Sequence, residues 1–342
     1  MNRFVVTGAG GYIGSQLVKL LLQDQNEVRA IDRYFFGENV FDDVPTNAKL
    51  KIIRADSRNL NDSYFNDVDA VFDLVAMSND PSGDLDPNLT RQINFESRVR
   101  TAQLSKRCGV SRYILMSSCS VYGAGIELSL DEKSEVNPLT LYAKASLNAE
   151  MGVLSLNSDD FTVTVMRNAT AFGLSKRMRF DLVINLMTLS AFEKHEIQIR
   201  GGGNQLRPVI HVDDICRAAK SIIDADKAIV SGEIFNIGMG NFQISQLAFL
   251  VRDLLGNTIK VRHIDDDLDM RSYDVNFQKA SSRLNFEASR NIEFGVKQVY
   301  QALVNGMTAS SNRTSTVNWY RRLIESQKLF DELNIDGRLL KW

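Results

Sequence analysis

Two hydrophobic rhythms alternate along the chain. Short runs rich in β-branched and aromatic residues, at 3–7, 27–32, 50–53, 70–74, 112–117 and 161–166, predict strands. Between several of them apolar residues recur every three to four positions, as at 13–22 and 93–108, which predicts amphipathic helices. Strands alternating with helices imply an α/β fold built on a doubly wound parallel sheet. After Gly173 the rhythm becomes mixed, although 209–212, a helical pattern at 214–225, and 234–237 ending in Gly238 still read as pieces of that sheet unit. The expected division is one domain over 1–173 with 208–238 returning to it, and a smaller mixed α/β domain over 174–207 and 239–342. The segment 309–316 has linker-like composition. Beyond it Val317, Tyr320, Leu323, Ile324, Phe330 and Leu333 recur near helical spacing and predict an amphipathic terminal helix.

Composition narrows the class. A length of 342 residues suits about two domains, and 44% hydrophobic with 24% charged residues is an ordinary globular balance. Forty Lys and Arg against 42 Asp and Glu give a net charge of −2, so no overall field attracts nucleic acid or an anionic membrane. An anionic ligand needs a local site. Cys108, Cys119 and Cys216 are widely spaced and form no CxxC, which points away from a disulfide framework or a zinc site. No apolar run is long enough to span a bilayer, and the first predicted strand begins at Arg3, so a cytoplasmic protein is expected.

Chemistry first surfaces in Thr7-Gly8-Ala9-Gly10-Gly11-Tyr12-Ile13-Gly14, between an apolar strand and an apolar helix. Gly8, Gly11 and Gly14 permit a tight turn, close approach of a pyrophosphate and close helix–strand packing, while the helix N-terminus offers N–H groups to phosphates. Asp32, closing the next strand, is placed to accept hydrogen bonds from the adenosine ribose hydroxyls. Strand, loop, helix and Asp in that order identify a dinucleotide-binding Rossmann unit. Asp32 repels a 2′-phosphate and favours NAD; the adjacent Arg33 is able to neutralise such a group, so NADP stays open.

With that unit, Asp56 ending the third strand, Asn94 in the following helix, Ser118-Cys119-Ser120-Val121-Tyr122-Gly123 and Asn137-Pro138-Leu139-Thr140-Leu141-Tyr142-Ala143 together resemble the extended short-chain dehydrogenase/reductase family. More narrowly they resemble its nucleotide-sugar 4-epimerases, dehydratases and reductases, over residues 4 to about 303. The resemblance implies that Gly8, Gly11, Tyr12, Ile13, Gly14, Asp32, Asp56, Ala76 and Asn94 serve the cofactor. It implies that Tyr142 exchanges the proton of a sugar hydroxyl and that Ser118 shares that hydrogen bond.

A phenol with a pKa near ~10 is a poor base at neutral pH and needs a nearby cation. The family supplies a Lys four residues after the Tyr, and here that position is Ser146. Lys144 is only two residues from Tyr142, so on a helix it points about 200° around the axis and does not stand in. Three explanations stay open: a deliberate substitution, a natural residue with another cation or the oxidised nicotinamide activating Tyr142, or a site that binds without catalysis. Relatives that eliminate water place an Asp-Glu pair after their Ser or Thr, where this chain has Cys119-Ser120, which disfavours a dehydratase; Cys119 reads as a buried filler.

On the substrate side the resemblance points to Thr170, Asn185, Arg207 and Arg271, the two arginines as clamps for a sugar diphosphate. His211 with Asp213 and Asp214, and His263 before an acidic run, are read as strand, cap and solvated loop rather than metal sites. The expected function is NAD-dependent redox at C4 of a nucleotide-diphosphate hexose, most economically a 4-epimerase. A C4 ketoreductase or dehydrogenase, and a catalytically silent NAD-binding member, remain the alternatives. The resemblance also implies a homodimer paired through the helices beginning near Arg91 and Tyr142.

Overall fold

The computed structural model describes residues 1–46, 48–124, 129–264, 271–307, 312–335 and 337. Strands β1 (Arg3–Thr7), β2 (Glu27–Asp32), β3 (Leu50–Arg54), β4 (Ala70–Asp73), β5 (Arg112–Ser118) and β6 (Thr162–Asn168) form within a residue or two of their predicted limits. Helices α1 (Gly14–Gln23), α2 (Asp80–Gly83), α3 (Pro87–Arg91), α4 (Ser97–Arg107) and α5 (Leu141–Leu154) lie between them. β7 (Thr170–Phe172), α6 (Val183–Lys194), β8 (Glu196–Ile199), β9 (Leu206–His211), α7 (Val212–Asp224), α8 (Lys227–Val230) and β10 (Glu233–Ile237) follow. The remainder comprises β11 (Gly240–Gln243), α9 (Ile244–Leu255), β12 (Lys260–His263), α10 (Gln278–Leu284), α11 (Ile292–Val304) and α12 (Thr316–Leu333).

Seven strands make one parallel sheet in the order β10-β6-β5-β4-β1-β2-β3. Because successive side chains on a strand face opposite ways, Phe4 and Val6 join one buried cluster with α1 and α7, while Val5 joins the other with α4 and α5. Every residue of β6 is buried, as expected where helices cover both faces of a parallel sheet. The carboxyl ends of β1, β4, β5 and β6 therefore open on the same edge, where ligands of doubly wound sheets lie.

Two sequence expectations change. The strand expected at 209–212 forms, as β9, but pairs with β11 and β7 in a three-stranded sheet instead of rejoining the large one. Hydrophobic patterning fixes a strand and not its partner; β7, leaving the end of β6 after Ala169, offers the edge that β9 takes. The helix expected at 93–108 begins earlier: Asp86 caps α3, accepting from the Leu89 N–H at 2.9 Å, and a π-turn over Gln92–Glu96 joins α3 to α4. The acidic run at 265–269 lies outside the described residues. No helix among the described residues is long and apolar enough to cross a membrane.

Candidate active site

A cavity of about 1240 Å³ runs along the carboxyl edge of the sheet and on into the smaller sheets. The glycine loop forms one end. Gly8 has φ +68°, and a Cβ there would sit 2.8 Å from the Leu74 carbonyl carbon; a Cβ on Gly14 would sit 2.2 Å from the Gly8 carbonyl oxygen. The turn is thus closed to any side chain. Helix α1 starts with no side-chain cap, and the N–H groups of Tyr12, Ile13 and Gly14 have no acceptor among the described residues. Such a cradle fits a pyrophosphate.

Asp32 lines the same end. Its carboxylate accepts from the Gly10 N–H at 3.1 Å and the Tyr34 N–H at 2.7 Å, and burial raises its pKa. Asp56 also faces the cavity, but Arg58 and Arg33 hold its carboxylate, Arg58 more strongly, and keep its pKa well below the usual range. Arg33 is thereby engaged and stacked over Phe35 at 4.6 Å. Ala76 lines the wall after β4. Asn94 does not: fully buried, it clamps the backbone of Met77 from behind, accepting at 2.8 Å and donating at 3.2 Å.

Ser118 ends β5, and Tyr142 stands in the first turn of α5, which Thr140 caps by accepting from the Ala143 N–H at 3.1 Å. These elements place Tyr142 and Ser118 together on the cavity wall. Burial raises the phenol pKa; the Arg98 charge opposes it most, Asp80 adds to it, and Ser118 and Arg179 lower it. Ser146, buried, spends its hydroxyl on the Tyr142 carbonyl at 2.9 Å and is not on the wall. Lys144 is exposed on the far side of α5. Cys119 is buried, its thiol donating to the Arg167 carbonyl at 3.2 Å and raised in pKa by desolvation.

Thr170, Arg207 and Arg271 line the opposite end. Arg207 donates to the Leu206 carbonyl at 2.9 Å and to that of Arg271, and Arg271 pairs with Asp80. Asn185 is buried behind the wall, accepting from the Gly173 N–H at 3.0 Å and donating to the Arg179 carbonyl at 3.0 Å and the Tyr12 hydroxyl at 3.2 Å. It positions Tyr12 and Arg179.

Patterning did not reveal three further wall residues, Arg98, Arg177 and Arg179. Arg179 is held by Asp181 and by Ser78. Arg177 lies over the Phe36 ring at 3.7 Å and donates to the Thr316 hydroxyl at 2.9 Å, but its Nε and Nη1 are buried without a partner among the described residues. Burial, then the Arg179 charge, pushes its pKa down, so an anion in the cavity would relieve it. The run Ser175-Lys176-Arg177-Met178-Arg179 was the available signal. Helix α12 covers this end: Val317, Tyr320, Leu323 and Ile324 line the cavity, and the Trp319 indole donates to the Phe35 carbonyl at 2.8 Å. No cluster of three or more His, Cys, Asp or Glu residues suited to a metal occurs among the described residues.

Comparison with known proteins follows this geometry. The family model described as the NAD dependent epimerase/dehydratase family matches residues 4–238. A UDP-glucuronate 4-epimerase of Thermodesulfobacterium geofontis is 25% identical over 342 residues, covering 95% of this chain and 98% of that protein. A UDP-glucuronic acid decarboxylase of Arabidopsis thaliana is 25% identical over 309 residues, covering 87% of this chain and 68% of that protein. Among solved structures, MoeE5 in complex with UDP-glucuronic acid and NAD superposes with a TM-score of 0.79 at 25% identity, covering 90% of this chain and all of that one.

Proposed function

From a chain that belongs to the NAD dependent epimerase/dehydratase family, an enzyme family, we propose NAD-dependent redox at C4 of a UDP-hexose or UDP-hexuronate, with net 4-epimerisation. The observation that carries this reading is that Tyr142 and Ser118 line one continuous cavity with the glycine loop, Asp32 and the guanidinium groups of Arg207 and Arg271. The uncapped N-terminus of α1 and the unpartnered nitrogens of Arg177 fit a dinucleotide pyrophosphate.

When bound, NAD would accept and return the hydride of sugar C4. The phenolate of Tyr142 takes the C4 hydroxyl proton as that carbon is oxidised and returns it when the carbon is reduced from its other face; Ser118 holds the oxygen in line. Arg207 and Arg271 grip the diphosphate while the sugar turns. The cover that α12 places over Asp32 and Phe35 favours a retained cofactor, which an epimerase needs and a reductase exchanging its cofactor does not. Similar UDP-sugar enzymes make UDP-glucuronic acid the first substrate to try. Incubation with catalytic NAD should give the C4 epimer by NMR without net NADH; stoichiometric NADH would overturn epimerisation in favour of a dehydrogenase.

Cofactor choice rests on Asp32. Asp32→Ala should weaken NADH binding about 10–100-fold, the loss of hydrogen bonds to a charged acceptor, measured by fluorescence titration. Wild-type NADPH affinity equal to that for NADH would overturn the assignment. We also propose a homodimer paired through α4 and α5, where Met151 is 64% exposed. Met151→Asp should convert a dimer to a monomer in light scattering, and a monomeric wild type at micromolar concentration would refute the pairing.

A further inference from the structure

The terminal helix is pinned by its first two turns. Of the residues of α12 only Thr316 is buried. The Thr316 N–H donates to the Asp181 carboxylate at 3.3 Å, its hydroxyl accepts from Arg177 Nη2 at 2.9 Å, and just before the helix the Thr314 carbonyl accepts from the Phe180 N–H at 2.9 Å. These bonds tie α12 to the segment after β7. One turn on, the Trp319 indole donates to the Phe35 carbonyl at 2.8 Å, and the Tyr320 ring meets Phe36 and Phe35 edge-on, with centroids 5.5 and 6.4 Å apart. Those contacts tie it to the loop after β2. The helix therefore bridges two loops that both line the cavity, and it does so over the end that holds Asp32.

A helix that buries one residue in the protein has little packing of its own, so much of its stability depends on what fills the space beneath its apolar stripe. That stripe, Val317, Tyr320, Leu323 and Ile324, turns to the cavity. Beside it stands a cation with unmet donors. Arg177, 5% exposed, lies over the Phe36 ring at 3.7 Å, and its Nε and Nη1 have no partner among the described residues. An apolar stripe, a guanidinium lacking acceptors and the Asp32 carboxylate together suit a ligand with a flat apolar face, a phosphate and ribose hydroxyls. The adenosine diphosphate half of NAD has all three. We propose that α12 is the outer wall of the cofactor site: Val317 and Tyr320 cover the adenosine half, Thr316 holds Arg177 toward the pyrophosphate, and opening of the helix's first two turns sets the rate at which NAD enters and leaves. The proposal deepens the reading of a retained cofactor and rests on the assignment of the glycine loop and Asp32 to NAD. For α12 to lift, the bonds at Thr316 and Trp319 must break, and an element with so few buried contacts is the kind drawn on for such opening.

Stopped-flow displacement of NADH by excess NAD from the full protein, followed in nicotinamide fluorescence, reads cofactor exchange without any sugar. Trp319→Ala and Tyr320→Ala should each raise the dissociation rate about tenfold or more, the scale of one lost hydrogen bond or aromatic contact. Because the same helix must lift for entry, the association rate should rise as well, so affinity changes less than either rate. Trp319→Phe gives up only the indole N–H and decides the matter if the alanine variants do not fold, which thermal unfolding shows. Unchanged rates in the variants that fold would overturn the proposal. A dissociation rate that rises while association keeps its wild-type value would also overturn it, since the residues would then be contacts and α12 no gate. Faster exchange in both directions, in a protein that epimerises no nucleotide sugar, would instead sink the epimerase reading and leave the role of α12 standing.

Discussion

Tyr142→Phe should lower kcat about 10²–10⁴-fold, the usual contribution of a positioned acid/base, with NAD binding unchanged. The substitution keeps the ring, which matters locally because α2 packs closely there: a Cβ on Gly83 would come within 3.2 Å of the Tyr142 Cβ. Only the hydroxyl and its capacity for charge are lost. Initial rates with saturating UDP-sugar, alongside NADH titration of the same preparation, separate chemistry from binding. Activity within about tenfold of wild type would move the proton transfer to another group. In the wild type the rate should rise with pH through the phenol titration, since phenolate is the form that accepts the proton.

The first half of the fold was legible because it obeys local rules. Phe4, Val5 and Val6 alternate between two buried faces, and the run from β1 through Gly8 and Gly14 into α1 admits few other structures. Tyr142 and Ser118 were pointed to by the motif resemblance, and each sits at the end of a regular element. What escaped were side chains whose roles depend on long-range approach. Arg98 looks in sequence like a polar position on an amphipathic helix, and only the π-turn over Gln92–Glu96 and the packing of α4 beside β4 turn it into the cavity. Arg177 lies in a loop with no periodicity. The resemblance pointed to Asn94 and Asn185 as ligand contacts; in the structure each fastens the backbone behind the wall, at Met77 and at Gly173.

The terminal helix shows the same limit from the other side. Its apolar stripe was visible, but not its occupant. In the structure Val317, Tyr320, Leu323 and Ile324 cover the cavity, whereas Leu329 and Leu333 farther along are 55% and 56% exposed. The stripe thus divides, one part facing the ligand cavity and one facing solvent.

A residue that no motif marks should carry the largest stability effect. Glu150, two turns beyond Tyr142 on α5, is 1% exposed and pairs with Arg167 of β6 at 2.8 Å. It also accepts from the Ser117 hydroxyl, and Arg167 in turn donates to the Tyr122 hydroxyl at 3.0 Å. Helix, two neighbouring strands and the turn after β5 are thus tied through one carboxylate. Glu150→Ala strands the Arg167 guanidinium in a dry interior and should cost about 3–5 kcal/mol, because breaking one partner of a buried pair leaves an uncompensated charge. Glu150→Leu with Arg167→Met removes both charges and keeps the volume, so it should recover much of that loss. Thermal unfolding of the three proteins checks this. If Glu150→Ala unfolds within a degree or two of wild type, the pair does not anchor α5. In that case the placement of Tyr142 beside Ser118 depends on the packing of α5 against its other neighbours, α2 among them.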